Sequence, residues 1–290
     1  MQECLHGISR LIYPRECFEV IVVDDGSPEP LDGIVNSFSS QLNVKLIRQA
    51  NAGPATARNT GASAARNEYV VFIDDDCIPD EDWLQKFAGR FQMTPHHGIG
   101  GRVINRLQEN VYSTASQLLA DYVYFYYNGN EPGTARFFSS NNVSFPVKSF
   151  LEIGGFNTSF PRAAAEDREL CIRWVQSKRL LTYEAEAKVT HAHSLNLTGY
   201  WRQHFNYGYG AALLHNILEE QDYASIPVEP SKFYWDLLRH PSRQGAPRPA
   251  ILAALMAISQ IANAAGYFWH KLRGIRKEVV RSNGSCTDDV

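Results

Sequence analysis

The chain has 290 residues, of which 44% are hydrophobic, and its formal net charge is −3 with a pI near 6.3. This length is sufficient to bury the core of one large domain or two small ones. The near-neutral charge excludes a general basic surface for nucleic acid. The five cysteines are scattered and form no CxxC or CxxH pair, which argues against a zinc site and indicates reduced, cytosolic thiols.

The first two-thirds of the chain alternates between strand-like and helix-like segments. Continuous apolar runs at residues 18–25 (FEVIVVDD), 44–49 (VKLIRQ) and 69–76 (YVVFIDDD) predict strands that are buried on both faces. Helices are predicted between them, at residues 28–40 and 54–65. This order predicts an α/β fold with an open, mostly parallel, doubly wound sheet.

Two of the three predicted strands end in acidic residues. Asp24 and Asp25 follow the first strand, and Asp74, Asp75 and Asp76 follow the third. Ligands of doubly wound sheets bind at the carboxyl ends of the strands, so these acids are candidates for a binding site. In the sequence VVDDGSP, the first pair is interpreted either as a helix N-cap or as an acceptor of hydrogen bonds from a nucleobase.

The aspartate triplet also has two interpretations: solvated loop residues or a cation site. The carboxylates of Asp74 and Asp76 lie on the same side of an extended chain and suit Mg²⁺ or Mn²⁺ that bridges a diphosphate. A phosphatase-like Asp-x-Asp-x-Thr motif is excluded because Ile78 stands in the threonine position. Residues 80–82, which are all acidic, are predicted to begin the next helix and to favour its dipole.

Three further segments carry polar candidates. In NAGPATARNTGA (51–62), Arg58 is either a surface arginine or a partner of phosphate oxygens. Glu166 and Asp167 begin an amphipathic segment, where they either favour the helix dipole or form part of a site. His191 ends the next predicted strand, and it is interpreted either as a structural residue or as a ligand, with His193 beside it.

The region from 196 to 290 is predicted to be helical. Residues 250–269 (AILAALMAISQIANAAGYFW) are apolar over about the 20 residues that span a bilayer, but they include Ser259, Gln260 and Asn263. A surface-lying helix, a protein-packed helix and a membrane span therefore all remain open. A basic cluster follows, which suits either the anionic cytoplasmic leaflet or the solvated end of an ordinary amphipathic helix: Lys271, Arg273, Arg276, Lys277 and Arg281.

The order of these motifs is more specific than any one of them. DDGS, N-x-G-x-x-x-A-R-N, a strand that ends in DDD, GGF, ED-x-x-L-x-x-R and a late histidine follow one another between residues 18 and 193. This series resembles the family 2 inverting glycosyltransferases of GT-A fold. The segment FNYGYGAALL and the late apolar helix are similar, more weakly, to bacterial members that bind membranes.

The resemblance implies a role for each matching residue. It implies that Asp25, with Asp24 beside it in the nucleotide-sugar site, reads a uracil-type base, that Arg58 lies near the nucleotide, and that Asp74 and Asp75 contact ribose and diphosphate. By the same resemblance, Asp76 and His191 bind Mn²⁺ or Mg²⁺ and Asp167 is the general base. Asn142 and Glu166 are assigned to acceptor binding. The implied partners are a nucleotide-diphosphate sugar and a glycan or lipid-linked acceptor.

The resemblance also predicts the domain organisation. Residues 1–195 form the GT-A domain, with a nucleotide-sugar half (1–105) and an acceptor half (106–195), and residues 196–290 form a helical, membrane-associated region. Family members begin with a further strand that MQECLHGISRLIYPREC does not supply. We therefore expect this chain to be less stable and less active than a version extended upstream. The predicted location is cytoplasmic, peripheral on the inner face of the plasma membrane.

Two alternative functions compete with glycosyl transfer. A sugar nucleotidyltransferase shares a similar sheet and acidic metal site, but it would require an early Gly-rich phosphate loop, which the sequence lacks. A non-catalytic nucleotide- or glycan-binding subunit at the membrane would retain the same motifs without turnover. A glycosidase is not favoured, because it would use two acids that flank the sugar bond.

Overall fold

The computed structural model describes residues 1–128, 131–160, 164–221 and 228–284, with side chains up to residue 273. It divides into two compact units, Met1–Ser194 and Leu195–Val290. The first unit contains strands and helices, and the second is helical in its described residues. This is the α/β architecture with a C-terminal helical region that the order of the sequence motifs predicts.

The first unit begins with a small parallel sheet. Strand β1 (Val20–Asp24) pairs with β2 (Val44–Arg48) in parallel, with Val22 opposite Leu46. Helix α1 (Gln2–Ser9) contributes Leu5 and Ile8 to the core beside this sheet, and α2 is limited to Asp32–Asn36. The helix predicted at 28–40 is thus shorter than expected, since bends and turns occupy its flanks.

The larger sheet has five strands in the order β3-β6-β5-β7-β4. Their bounds are Tyr69–Ile73 (β3), Cys77–Pro79 (β4), Gly98–Asn105 (β5), Asn142–Pro146 (β6) and Leu181–His191 (β7). Only β5 and β7 are parallel, whereas β3–β6, β5–β6 and β4–β7 are antiparallel. The sheet is therefore less parallel than predicted, because β6 runs against both of its neighbours.

The two sheets are not joined by backbone pairing. Among the residues that the structure describes, β1 pairs only with β2, and β3 pairs only with β6. Helix α3 (Pro54–Ala64) packs next to β1, and Ile73 of β3 packs on the same core as Leu5 and Val22. Side-chain packing thus brings the ends of β1 and β3 into one unit.

Helices cover the larger sheet and fill its core with aromatic rings. They are α4 (Trp83–Met93), α5 (Val111–Tyr127), α6 (Val147–Glu152) and α7 (Glu166–Gln176). Phe145 and Trp174 lie 4.7 Å apart between ring centroids and are fully buried. A side chain at Gly100 would lie 2.0 Å from the ring of Phe138, so β5 accepts only glycine at that point of close approach.

Helix α4 begins later than the acidic run predicts. Its first residue is Trp83, and Asp82 occupies the N-cap position without a side-chain capping hydrogen bond. The preceding residues 77–79 form β4, which pairs with β7 and so keeps the chain extended. The acidic residues therefore precede the helix rather than form its first turn.

The second unit consists of α8 (Leu197–Glu220), α9 (Ser231–Arg243) and α10 (Pro249–Gly284). Helices α8 and α10 pack with their backbones in close contact. A Cβ atom at Gly208 would lie 1.8 Å from the carbonyl oxygen of Asn263, and one at Gly266 would lie 1.9 Å from that of Phe205. Glycine is required at both positions because any side chain would separate the helices.

Candidate active site

The two acids that end β1 have different surroundings. The side chain of Asp24 is fully buried; its Oδ1 accepts a hydrogen bond from the backbone N–H of Ser27 at 2.8 Å, and its Oδ2 accepts one from Nε of Arg48 at 2.8 Å. These hydrogen bonds, with that of Ser27 the largest, lower the pKa of Asp24. Asp24 therefore stabilises the turn after β1 and offers no free surface to a nucleobase.

Asp25 organises the loop that leads into α3. Its carboxylate accepts hydrogen bonds from Gln49 at 2.7 Å and from the backbone N–H groups of Ala52 and Gly53 at 2.9 and 2.8 Å. Gly53 has φ of 90°, a conformation that favours glycine. Asp25 is partly exposed, so it is the one of the two acids that can still receive a ligand from solvent.

Arg58 connects two acidic motifs, one 16 and the other 108 residues further along the chain. Its Nη2 donates to Oδ1 of Asp74 at 2.8 Å, and its Nη1 donates to Oε1 of Glu166 at 3.1 Å. The guanidinium also lies over the ring of Phe156, 5.5 Å from its centroid. The side chain is only 14% exposed, so this arginine is held by protein carboxylates and an aromatic ring.

Asp76, His191 and His193 form a cluster with the donor groups of a metal site. Nε2 of His191 lies 3.0 Å from Oδ2 of Asp76, Nδ1 of His193 lies 4.0 Å from the same oxygen, and the two rings stack at 5.4 Å. The ligand atoms all lie within 4.8 Å of one another. Burial raises the pKa of Asp76, but the hydrogen bond from His191 and the nearby His193 outweigh it and keep the pKa below its ordinary value.

Strand pairing explains why this cluster forms. The short strand β4 pairs with the end of β7, so that Cys77 lies opposite His191. The backbone N–H of Ala192 also donates to the carbonyl oxygen of Asp76 at 3.1 Å. His191 and His193 are two residues apart, so both imidazoles reach the same side of an extended chain. A carboxylate and two imidazoles fit a divalent cation that accepts both oxygen and nitrogen ligands.

Asp75, the middle residue of the triplet, is the most exposed. Its side chain is 66% exposed and its Oδ2 lies 3.5 Å from the amino group of Met1. It therefore faces solvent and does not join the cluster of Asp76.

Glu166 and Asp167 open α7 in an acidic and largely buried environment. Burial, and next the negative charge of Glu166, raise the pKa of Asp167 to about 7, although its Oδ1 accepts a hydrogen bond from the N–H of Arg168 at 2.7 Å. Burial also raises the pKa of Glu166. Within the described residues, Oε2 of Glu166 has no hydrogen-bond partner. Because Glu166 is only 2% exposed, it is placed as a partner of Arg58 rather than as a contact for an acceptor.

The residue before this pair has an unfavourable backbone conformation. Ala165 has φ of 74° and ψ of 0°, in the left-handed region, at the N-cap position of α7. For a residue with a Cβ atom, this conformation costs about 1–2 kcal/mol. Strain of this kind concentrates at functional sites, and here it lies directly before Glu166 and Asp167.

We expect Ala165→Gly to increase the free energy of unfolding by about 1 kcal/mol, because glycine adopts this conformation without the steric cost. Chemical denaturation of the two proteins measures the difference. Ala120→Gly, inside α5, is the matched control and should lower the free energy of unfolding by about the same amount. An Ala165→Gly variant that is less stable than the parent would contradict the prediction.

The acceptor-binding role assigned to Asn142 does not fit its position. The residue has no exposed surface. Its Nδ2 donates to the carbonyl oxygens of Arg102 and Ala187, both at 2.9 Å, and its Oδ1 accepts from Nε1 of Trp83 at 2.9 Å. Asn142 therefore joins β5, β7 and α4 inside the sheet, where an acceptor does not reach it.

Asn142→Ala should lower the free energy of unfolding by about 2–4 kcal/mol, because it leaves a buried indole N–H and two carbonyl oxygens without partners. Denaturant titration measures this loss. Asn43→Ala, at an exposed position, is the control and should change stability by less than about 0.5 kcal/mol. A stable Asn142→Ala protein with reduced acceptor affinity would restore the role that was first assigned to it.

The structure adds two features that the sequence reasoning did not select. His193 joins the metal-ligand cluster, and the i, i+2 spacing of His191 and His193 is the signal that identifies it. The guanidinium of Arg168, next to Asp167, lies 5.4 Å from the ring centroid of Tyr127, a contact between distant segments that the sequence does not indicate.

Comparison with known proteins agrees with this fold. Residues 1–154 match the family described as Glycosyl transferase family 2. This match covers more than half of the chain, which therefore belongs to that family. A pre-mycofactocin glycosyltransferase of Mycobacterium tuberculosis is 27% identical over 212 residues, 72% of this chain and 44% of the relative. The chain thus spans less than half the length of that relative.

Two solved structures share the fold. The mannosyltransferase PcManGT of Pyrobaculum calidifontis, in complex with GDP-Man and Mn²⁺, has a TM-score of 0.62 and 18% identity, over 93% of this chain and 83% of that one. S. aureus TarS 1–349, in complex with UDP-GlcNAc, has a TM-score of 0.53 and 15% identity, over 91% and 84%. These similarities establish the GT-A fold of this chain.

Proposed function

We propose that this protein is a metal-dependent inverting glycosyltransferase that transfers a sugar from a nucleotide-diphosphate sugar to an acceptor hydroxyl. The observation that carries the proposal is the bridge made by Arg58. It joins Asp74, in the aspartate triplet, to Glu166, the neighbour of Asp167. One buried guanidinium thus holds Asp74, an acid of the proposed donor site, and Glu166, the acid next to the proposed general base.

The proposed reaction is a single in-line displacement in which different residues of the chain have different roles. Asp167 accepts the proton of the acceptor hydroxyl while the oxygen of that hydroxyl forms a bond to the anomeric carbon. The bond from that carbon to the diphosphate oxygen breaks in the same step. Asp25, with the N–H groups of Ala52 and Gly53 beside it, faces the nucleotide. Holding both substrates in this geometry supplies much of the acceleration.

Asp76, His191 and His193 would hold the divalent cation. When bound, the cation supplies positive charge that stabilises the departing nucleotide diphosphate. Two imidazoles make the donor set less suited to Mg²⁺, which prefers oxygen ligands in octahedral geometry, and therefore favour Mn²⁺. The Mn²⁺ in the PcManGT complex is consistent with this choice.

The donor is proposed to be UDP-linked and the acceptor to be a glycan or lipid-linked sugar. TarS is a relative in fold whose complex contains UDP-GlcNAc, whereas PcManGT contains GDP-Man. The test is a panel of UDP- and GDP-sugars with Mn²⁺, with release of nucleotide diphosphate as the readout. Slow release from one UDP-sugar without an acceptor supports the proposal. Binding of UDP by calorimetry with no release from any donor would identify a non-catalytic binding subunit instead.

The raised pKa of Asp167 predicts how transfer depends on pH. The base acts when it is deprotonated, so kcat/KM should rise as the pH increases through about 7 and then level off. Glu166→Gln removes a negative charge that raises the pKa of Asp167, while Arg58, which lowers it, remains. The rising limb should therefore move to lower pH.

A pH–rate profile of Glu166→Gln against the parent measures this shift. Glu186→Gln neutralises an exposed carboxylate on β7 and is the control, with an unchanged profile expected. If the rising limb of the pH–rate profile of Glu166→Gln stays at the same pH as in the parent, or moves to higher pH, the electrostatic coupling of the two acids is contradicted.

A further inference from the structure

The exposed side of α10 is entirely apolar over most of the helix. Every described residue that is exposed between 251 and 272 is an isoleucine, leucine, phenylalanine, tryptophan or alanine. The most exposed of its large side chains are Ile261 (61%), Phe268 (64%) and Leu272 (60%), at helical spacings of seven and four residues. We call this surface the apolar strip; it consists of Ile251, Ala254, Ile261, Ala264, Ala265, Phe268, Trp269 and Leu272.

The apolar strip is unusual in its length. At 1.5 Å per residue it extends for about 30 Å along the helix. Contiguous apolar patches of more than a few hundred Å² on a protein surface mark sites of interaction with another protein or a membrane. Isolated exposed apolar side chains are common on protein surfaces and need no explanation. A continuous series of exposed apolar side chains with no charged residue among them does need one.

The opposite side of α10 is occupied by α8. Leu252, Met256 and Ala262 are buried there, next to the close glycine contacts of the two helices. Polar groups of α10 are also directed at α8: Nζ of Lys271 donates to Asn216 at 2.7 Å, and the hydroxyl of Tyr267 lies 2.8 Å from Nδ1 of His215. The helix therefore has one protein-packed side and one apolar side.

This arrangement argues for a helix that lies in a membrane surface rather than one that crosses the bilayer. Pro249–Arg273 is long and apolar enough to span, and it is the one such segment among the residues that the structure describes. A spanning α10 would carry its packed partner α8 into the hydrocarbon, with the side chains of Gln203, His204, Asn206, His215 and Asn216. Buried polar groups are costly there.

The charge next to the apolar strip indicates what kind of surface binds to it. Beyond Lys271, which is bound to Asn216, residues 273–281 form a basic segment with four basic residues and one acidic residue, Glu278. Arg273 lies over the ring of Trp269, 5.0 Å from its centroid, where the apolar strip meets the basic segment. Tryptophan and arginine combine an apolar body with a polar end and favour the interface between headgroups and acyl chains.

We infer that the apolar strip of α10 inserts into the headgroup boundary of an anionic bilayer, with the basic segment that follows bound to lipid phosphates. A second copy of the chain would also cover apolar side chains, but its own apolar strip ends in the same basic segment, and like charges repel. The inference goes beyond the proposed transfer reaction and is tested without substrates, so either can fail without the other.

The experiment is flotation of the full chain with phosphatidylcholine vesicles, with and without phosphatidylglycerol. Binding should require the anionic lipid and should weaken as salt increases. Ile261→Ser/Phe268→Ser should weaken binding by about 10–100-fold, since it removes two inserted side chains. Met93→Ser/Leu151→Ser, which removes two exposed apolar side chains from the first unit, is the matched control and should float like the parent.

Three outcomes would overturn the inference. The first is a parent chain that does not float with anionic vesicles, or a double variant that floats equally well. The second is a parent dimer by light scattering that Ile261→Ser/Phe268→Ser converts to a monomer without any vesicle binding, which would make the apolar strip a contact between copies. The third is retention of the protein in cell membranes after an alkaline carbonate wash, which would indicate a span. Donor hydrolysis by Ile261→Ser/Phe268→Ser in solution should equal that of the parent.

Discussion

Asp167→Asn should reduce kcat for sugar transfer by about 10²–10⁴-fold, the range that a positioned general base contributes. The amide has almost the same shape as the carboxylate but does not accept the proton of the acceptor hydroxyl. Steady-state kinetics with the best donor of the panel measures the loss. The affinity for the donor nucleotide should not change, because Arg58 and Asp74 keep their contact at 2.8 Å.

Two further measurements separate the loss of a base from misfolding. The rise of activity through about pH 7 should disappear in Asp167→Asn, since the group that titrates is absent. Calorimetry with UDP should give the parent's dissociation constant. Glu186→Gln, with an exposed carboxylate on β7, should retain full turnover. Unimpaired turnover of Asp167→Asn would reject the general-base role.

Asp76→Ala should abolish metal-dependent transfer. Loss of the charge stabilisation that a bound cation provides to the leaving group is worth several kcal/mol, which corresponds to a decrease in kcat on the order of 10³-fold. The variant leaves two imidazoles without the carboxylate that lies 3.0 Å from His191. Titration with Mn²⁺ should show much weaker binding to the variant. Electron paramagnetic resonance monitors this titration, because the signal of the free ion decreases as Mn²⁺ binds.

Asp80→Ala is the matched control for this experiment. Asp80 is exposed four residues further on. Its backbone N–H donates to the carbonyl oxygen of Lys188 and its carbonyl oxygen accepts from the N–H of Trp83, both at 3.0 Å, and Asp80→Ala keeps both hydrogen bonds. It should bind Mn²⁺ and turn over as the parent does. Should Asp76→Ala keep Mn²⁺-dependent activity, the cluster with His191 and His193 would not be the metal site.

Several elements are determined by local sequence. The β-branched runs give β1, β2 and β3 within two or three residues of the predicted bounds, because continuous apolarity favours strands buried on both faces. The alanine-rich segment after Pro54 gives α3 over Pro54–Ala64, against a prediction of 54–65. The order of the acidic motifs identifies the family, which the match over residues 1–154 confirms.

The environment of each acid is not contained in local sequence. Asp24 and Asp25 are neighbours in a single motif, yet one is fully buried against Arg48 and the other holds the loop at Gly53. Burial and hydrogen bonding depend on segments that are about 25 residues away. For this reason a motif predicts that an acid is present but not whether its oxygens face a ligand.

The sequence by itself determined the order of strands and helices and the approximate place of the functional acids, because hydrophobic periodicity and turn residues act over short distances. Only the tertiary structure decided which residues meet. It brought Arg58 between Asp74 and Glu166, added His193 to Asp76 and His191, and buried Asn142 inside the sheet. Such contacts depend on strand register and packing between segments up to 115 residues apart, which no local pattern encodes.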